Sequence, residues 1–235
     1  MNLPNRIFNI ITNLTQNNNS FYSTIISNTF LCVSGNVIKC ISCQNQKTEY
    51  NNSFLFEFYL DIIYNRYIDT KHISKKNDDG KYVLKLELCF EYYFNESYYL
   101  ALDDCFCNSC KKNTEHKIKN YLFSLPKIII ISVNKESDKN NELVLSFPEE
   151  LNLKKFINNK SKTINYKYNL IGVISHKDNR NEYYAFCKHN ISNKWYKCSD
   201  LNIDKCSNPI NEILNQNVDV LIYESFGGST GSINI

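Results

Sequence analysis

The chain has 235 residues, with 43% hydrophobic and 22% charged side chains, ordinary values for a folded protein long enough to bury a real core. Its net charge is +3, from 27 Lys and Arg against 24 Asp and Glu, which is too weak to argue for nucleic acid as a partner. No run of apolar residues is long enough for a membrane span, and the start MNLPNRIFNI lacks the pattern of a secretory signal, so no membrane or export role is expected.

Ile7, Phe8, Ile10, Ile11 and Leu14 fall at helical spacing and predict an amphipathic helix over residues 5–16. A second short helix is expected at 23–30, and from Val33 the pattern becomes β. Phe54, Phe56, Phe58, Leu60 and Ile62 alternate with Leu55, Glu57, Tyr59 and Asp61, which predicts one strand across 54–62. The charged stretch 75–81 reads as a loop. Leu84, Leu88 and Glu91 suggest a helix over 82–94. Strands follow at 117–125, 127–133, 143–147, 166–175, 182–188, 194–197 and 218–224, with Pro126 and Pro148 at strand edges. The small polar tail 227–235 carries no folding signal. This order describes an α+β chain, with helices near the front and a large antiparallel sheet behind.

Ten cysteines without an export signal point to a reducing compartment, cytoplasmic or nuclear. Cys32, Cys89, Cys187, Cys198 and Cys206 read as small core hydrophobes. Cys40 with Cys43, and Cys107 with Cys110, form two Cys-x-x-Cys pairs, each able to give a metal two thiolates from one tight turn. Between the pairs lie 63 residues, so they can complete a tetrahedral zinc site only by meeting through the fold. Such a zinc would be structural, since four thiolates leave no position for water. Cys105 and His116 lie close enough to be alternative ligands; unrelated cysteines or a redox pair are the other readings.

The pairs sit in a series of motifs: FLCVSGNVIKCISC, then LPKIIIISVNK, FPEELNLKKF, YNLIGVISH, EYYAFCKH, WYKCSD and VLIYES. Over residues 28–225 that order resembles the ubiquitin-specific proteases, the papain-like cysteine deubiquitinases. The resemblance implies a papain-like fold with zinc-ribbon fingers and an antiparallel palm sheet, lacking most of the thumb. It divides the chain into a helical thumb remnant at 1–31, fingers with an inserted helix at 32–116, a palm at 117–225 and a disordered tail at 226–235.

In that family a cysteine thiolate attacks the bond after ubiquitin's C-terminal glycine, a histidine serves as base, and an Asp or Asn orients the histidine. The nucleophile's Gly-x-x-Asn-x-Gly-Asn-Thr-Cys box does not occur here; Cys32, at the end of a faint echo, lies where the fingers begin. The histidine belongs in Gly-His-Tyr, and the matching triplet is Asn181-Glu182-Tyr183. A carboxylate of ordinary pKa about 4.3 is a poor base at neutral pH, and its charge opposes a thiolate. Asp200 matches the third catalytic position, His176 a histidine common just before the catalytic loop, and Asn134-Lys135 replaces the palm's Arg-Phe.

The resemblance therefore implies a pseudoenzyme that binds ubiquitin or a ubiquitinated protein. Tyr183 and Tyr184 would line the channel for ubiquitin's tail, or simply pack in the sheet. A deubiquitinase whose nucleophile lies on a segment outside this chain, and a structural scaffold, are the alternatives. The front helices, or a protein partner, would cover the palm face that the thumb leaves open.

Overall fold

The structure, a computed structural model, describes residues 25–68, 76–77, 80–95, 97–100, 105–135, 143–158, 165–176, 182–200, 202–207, 209–214 and 217–226. The helix expected at 5–16 and the tail at 227–235 lie outside the described residues. The first half runs α1 (Ile25–Phe30), β1 (Cys32–Cys40), β2 (Gln46–Ser53), β3 (Phe56–Tyr59), α2 (Leu60–Tyr67), β4 (Tyr82–Lys85) and α3 (Leu86–Phe94). Next come β5 (Ser97–Leu100), β6 (Phe106–Cys107), β7 (Lys112–Asn113), β8 (His116–Ser124) and β9 (Ile128–Asn134). The rest is β10 (Leu143–Ser146), β11 (Glu150–Asn152), β12 (Lys167–His176), β13 (Tyr183–Lys188), β14 (Trp195–Ser199), β15 (Asn202–Lys205), α4 (Pro209–Leu214) and β16 (Val218–Ser225).

Two sheets organise these elements. A four-stranded sheet has the order β2-β1-β8-β5, all antiparallel. An eight-stranded sheet runs β15-β14-β13-β12-β16-β9-β3, with β11 added on β12. It is antiparallel except at its edge, where β3 lies parallel to β9, so the expected antiparallel palm is a mixed sheet. β8 belongs to the smaller sheet, and β3 belongs to the larger one. Strand partners are chosen by register across the fold.

The strand expected at 54–62 ends at Tyr59, and Leu60 begins helix α2. Leu60, Ile63 and Tyr67 share a helical face buried in the main core, while Ile62 is exposed. That helical stripe overrides the alternation: the face bearing Leu60, Ile63 and Tyr67 is the one the core covers. The helix expected at 82–94 likewise begins only at Leu86. Its buried stripe is Leu86, Cys89, Phe90 and Phe94, and the residues before it pair as β4 with β10.

The large sheet is apolar on both faces. Ile129, Ile131, Val133, Leu221 and Tyr223 face the main core, where α3 brings Phe90 and Phe94 against Phe56, Phe58 and Phe156, and α2 adds Leu60 and Ile63. Each such side chain stabilises the fold by about 1.5–3 kcal/mol on burial. The buried hydroxyls of Tyr168 and Tyr223 donate to the carbonyls of Pro126 and Pro148, at 2.6 and 2.7 Å. The opposite face presents Ile130 and Val220, flanked by Ile128, Ile174 and Ile222, and α1 lays Ile26 and Phe30 on it.

In the smaller sheet β1 can approach β2 closely only because residue 35 is glycine. A Cβ there would stand 2.3 Å from the Glu49 carbonyl oxygen and 3.2 Å from the Phe123 ring, which Tyr50 meets edge-on. Gly35→Ala is therefore expected to destabilise the protein by about 1–3 kcal/mol, read as a lower urea midpoint with unchanged slope.

Candidate metal centre and palm site

Each cysteine pair occupies the same kind of turn. The Gln44 N–H donates to the Cys40 carbonyl at 3.0 Å, and the Lys111 N–H to the Cys107 carbonyl at 2.9 Å. The residue after each pair is left-handed, with φ of 62° at Gln44 and 54° at Lys111. Between the turns, the Asn45 amide donates to the Ser109 hydroxyl at 2.5 Å, and the Ile41 N–H to the Glu115 carbonyl at 3.0 Å.

This arrangement gathers Cys40, Cys43, Cys107 and Cys110 so that their sulfurs lie within 4.8 Å of one another. The Cys40 and Cys110 sulfurs are 3.9 Å apart, and those of Cys43 and Cys107 are 3.6 Å apart. A tetrahedral zinc with Zn–S bonds of about 2.3 Å requires sulfurs about 3.8 Å apart, so the donor set fits that ion. All four are free thiols.

Their proton affinities are split. The Thr114 hydroxyl, aided by the Cys43 backbone N–H, holds the Cys40 thiol down at about 5. The Cys110 backbone N–H lowers Cys107. Cys110 is pushed up to about 12, first by its contact with Cys43 and then by burial. The first cysteine of each pair thus loses its proton more readily than an ordinary thiol, while sulfurs this close cannot all ionise without a cation among them.

The alternative ligands stand outside the four-sulfur set. His116 is buried across from Cys40 and turns its Nδ1 to the Thr114 carbonyl at 2.8 Å; the Cys105 carbonyl accepts from the Thr114 N–H at 3.0 Å. Of the cysteines read as core residues, Cys32, Cys89 and Cys206 are buried, whereas Cys187 is exposed and Cys198 half-buried. Cys32 is a closed structural thiol: it donates to the Ser124 carbonyl at 3.4 Å, and burial pushes it up to about 12.

At the far end of the large sheet, Glu182 lies exposed just before β13, and Asp200 lies exposed after β14 with φ of 44°. Ala185 pairs with Cys198, so both acids sit at the same end of that hairpin. Tyr183 and Tyr184 point to opposite faces, as neighbours on a strand must. Tyr183 is 42% exposed, whereas Tyr184 is 8% exposed in the main core, with Lys197 Nζ 4.4 Å from its ring centre. Only Tyr183 is presented outward.

His176 pairs with Tyr183 across the strands, and its Nδ1 lies 2.6 Å from Asp219 Oδ2. Asp219 occurs where the β12–β16 register shifts. Nothing in the sequence marks it, because its partner is set by that bulge. The Asn134 amide donates to Ser132 Oγ at 3.5 Å, and Lys135 Nζ to Asn217 Oδ1 at 3.4 Å.

The fold is shared with chains of solved deubiquitinase modules. A chain of the SAGA Ubp8/Sgf11/Sus1/Sgf73 DUB module bound to ubiquitin aldehyde aligns with a TM-score of 0.69 and 21% identity, covering 96% of this chain and 48% of that one. The same module bound to monoubiquitin gives a TM-score of 0.71 at 20% identity, with the same coverage. The chain belongs to the ubiquitin carboxyl-terminal hydrolase family, whose model matches residues 5–223. Among curated relatives, ubiquitin carboxyl-terminal hydrolase 4 of Pongo abelii is 29% identical over 164 residues, 66% of this chain and 17% of that protein. Ubiquitin carboxyl-terminal hydrolase 15 of Homo sapiens is 29% identical over 150 residues, 60% of this chain and 15% of that protein. The chain spans about half of the solved chains and under a fifth of these relatives. Among the described residues no helix is long and apolar enough to cross a membrane.

Left-handed backbone costs a residue with a Cβ about 1–2 kcal/mol, and glycine avoids that cost. Gln44→Gly and Lys111→Gly are each expected to stabilise the protein by about 1 kcal/mol net of glycine's greater unfolded-state entropy, seen as a higher melting temperature.

Proposed function

We propose that this chain is a ubiquitin-binding member of its family that does not cleave, built on fingers clamped by a structural zinc. The observation that carries the non-cleaving half is Glu182, a carboxylate at the position the family motif gives to the catalytic histidine. A base paired with a cysteine must accept a proton near neutral pH and then carry positive charge beside the thiolate. A glutamate does neither. Asp200, at the family's third position, then has no imidazole there to orient. His176 is held by Asp219 on the face that also presents Tyr183, which suits a wall that receives a peptide better than a base aimed at Asp200.

Membership of the family and the likeness to modules solved with ubiquitin support ubiquitin as the partner. The fingers sheet and Tyr183 are the surfaces assigned to it. The face bearing Ile128, Ile174 and Ile222, where α1 packs, is assigned to the front segment of the chain or to a protein partner. Zinc is assigned to Cys40, Cys43, Cys107 and Cys110; its four bonds would tie the end of β1 to the turn between β6 and β7.

Titration of isotope-labelled monoubiquitin with the purified chain is expected to give saturable shifts in the micromolar range, while a fluorogenic amide at ubiquitin's C-terminus stays intact. Absence of shifts would favour a scaffold, and hydrolysis would disprove the pseudoenzyme. The protein should carry about one equivalent of zinc, and a chelator should lower its melting temperature reversibly. Under about a tenth of an equivalent, with no stabilisation on adding zinc, would remove the metal assignment.

A further inference from the structure

We propose that Thr114 is a positioning residue of the metal centre, whose hydroxyl donates a hydrogen bond to the Cys40 sulfur and holds it as a ligand. The proposal rests on the zinc reading above and adds an outer layer to it.

Thr114 lies on the short link between β7 and β8, 2% exposed. Its Oγ1 is 3.2 Å from Cys40 Sγ, and Cys40 is itself 1% exposed. A metal-bound thiolate has no proton to give, so the hydroxyl is the donor. The backbone of Thr114 is held at both ends. Its N–H donates to the Cys105 carbonyl at 3.0 Å, and its carbonyl accepts from His116 Nδ1 at 2.8 Å. A carbonyl can only accept, so the imidazole proton sits on Nδ1. His116 pairs with Cys40 across β1 and β8, which closes the circuit: sulfur, hydroxyl, carbonyl, imidazole, and back to the strand bearing the sulfur.

Packing alone would not call for this residue. Valine would fill the same volume, whereas threonine brings a hydroxyl that must find a partner when dry. Here that partner is a sulfur atom. Such a bond disperses thiolate charge, favours the deprotonated ligand and fixes the direction of its lone pairs. Groups of this kind typically change metal affinity by about 10- to 100-fold.

The test compares wild type, Thr114→Val and Thr114→Ser. Zinc affinity is read by competition with a chromophoric chelator, and thiolate donation by the charge-transfer band of the cobalt(II)-loaded protein. Thr114→Val is expected to weaken zinc binding by about 10- to 100-fold and move the band to lower energy. Thr114→Ser, which keeps the hydroxyl, should stay within about threefold with the band unmoved. A valine variant that matches wild type in both readings overturns the proposal, as does a serine variant as weak as valine. If the valine variant does not fold, serine decides: wild-type readings support the bond, and about a tenfold loss refutes it. A wild-type protein that takes up no metal fails the zinc reading itself, a different result from metal held equally well by all three proteins.

Discussion

Two turns separated by 63 residues bring four sulfurs to within 4.8 Å, and the smaller sheet is organised around that convergence. Two strands alone are marginal in water, and this sheet has only four, with β2 almost wholly exposed at one edge. Its stability has to come from somewhere other than a deep core. Pairing of β1 with β8 delivers Cys40 to the level of His116, and the β6–β7 ribbon carries Cys107 and Cys110 to the same place. Sulfurs at tetrahedral spacing repel once ionised, and a divalent cation bound among them would turn that repulsion into a tie between the two turns. The left-handed residues after each pair are the local cost of wrapping a turn around such a centre.

The large sheet meets the opposite condition. β9 is buried on both faces, so it reads as a continuous apolar run, and its two sets of isoleucines serve different layers. Helix α2 with Leu60 and Ile63, and α3 with its phenylalanines, take one face; α1 takes part of the other. Strand alternation then decides what each residue at the far end of the sheet can do. Tyr184 is committed to the core, while Tyr183 and His176, with Asp219 bonded to His176, share the other side of the sheet. The proposed loss of cleavage therefore leaves the scaffold intact: it changes residue 182 at a hairpin end and requires no rearrangement of the strands that present Tyr183.

Much of this was legible in the residues themselves. Cysteines with two residues between them make a chelating turn, and the apolar runs at 127–133 and 218–224 read as buried strands. The motif order was enough to place the chain in its family, and residue 182 was visible as a glutamate. What the chain alone left open were the switch from β3 to α2 at Leu60, the place of β8 in the smaller sheet, and the partners Thr114 for Cys40 and Asp219 for His176. Local spacing acts over a few residues and is written in the sequence. Which strand lies beside which, and at what register, is settled only when the whole core packs, and every cross-strand contact follows from that choice.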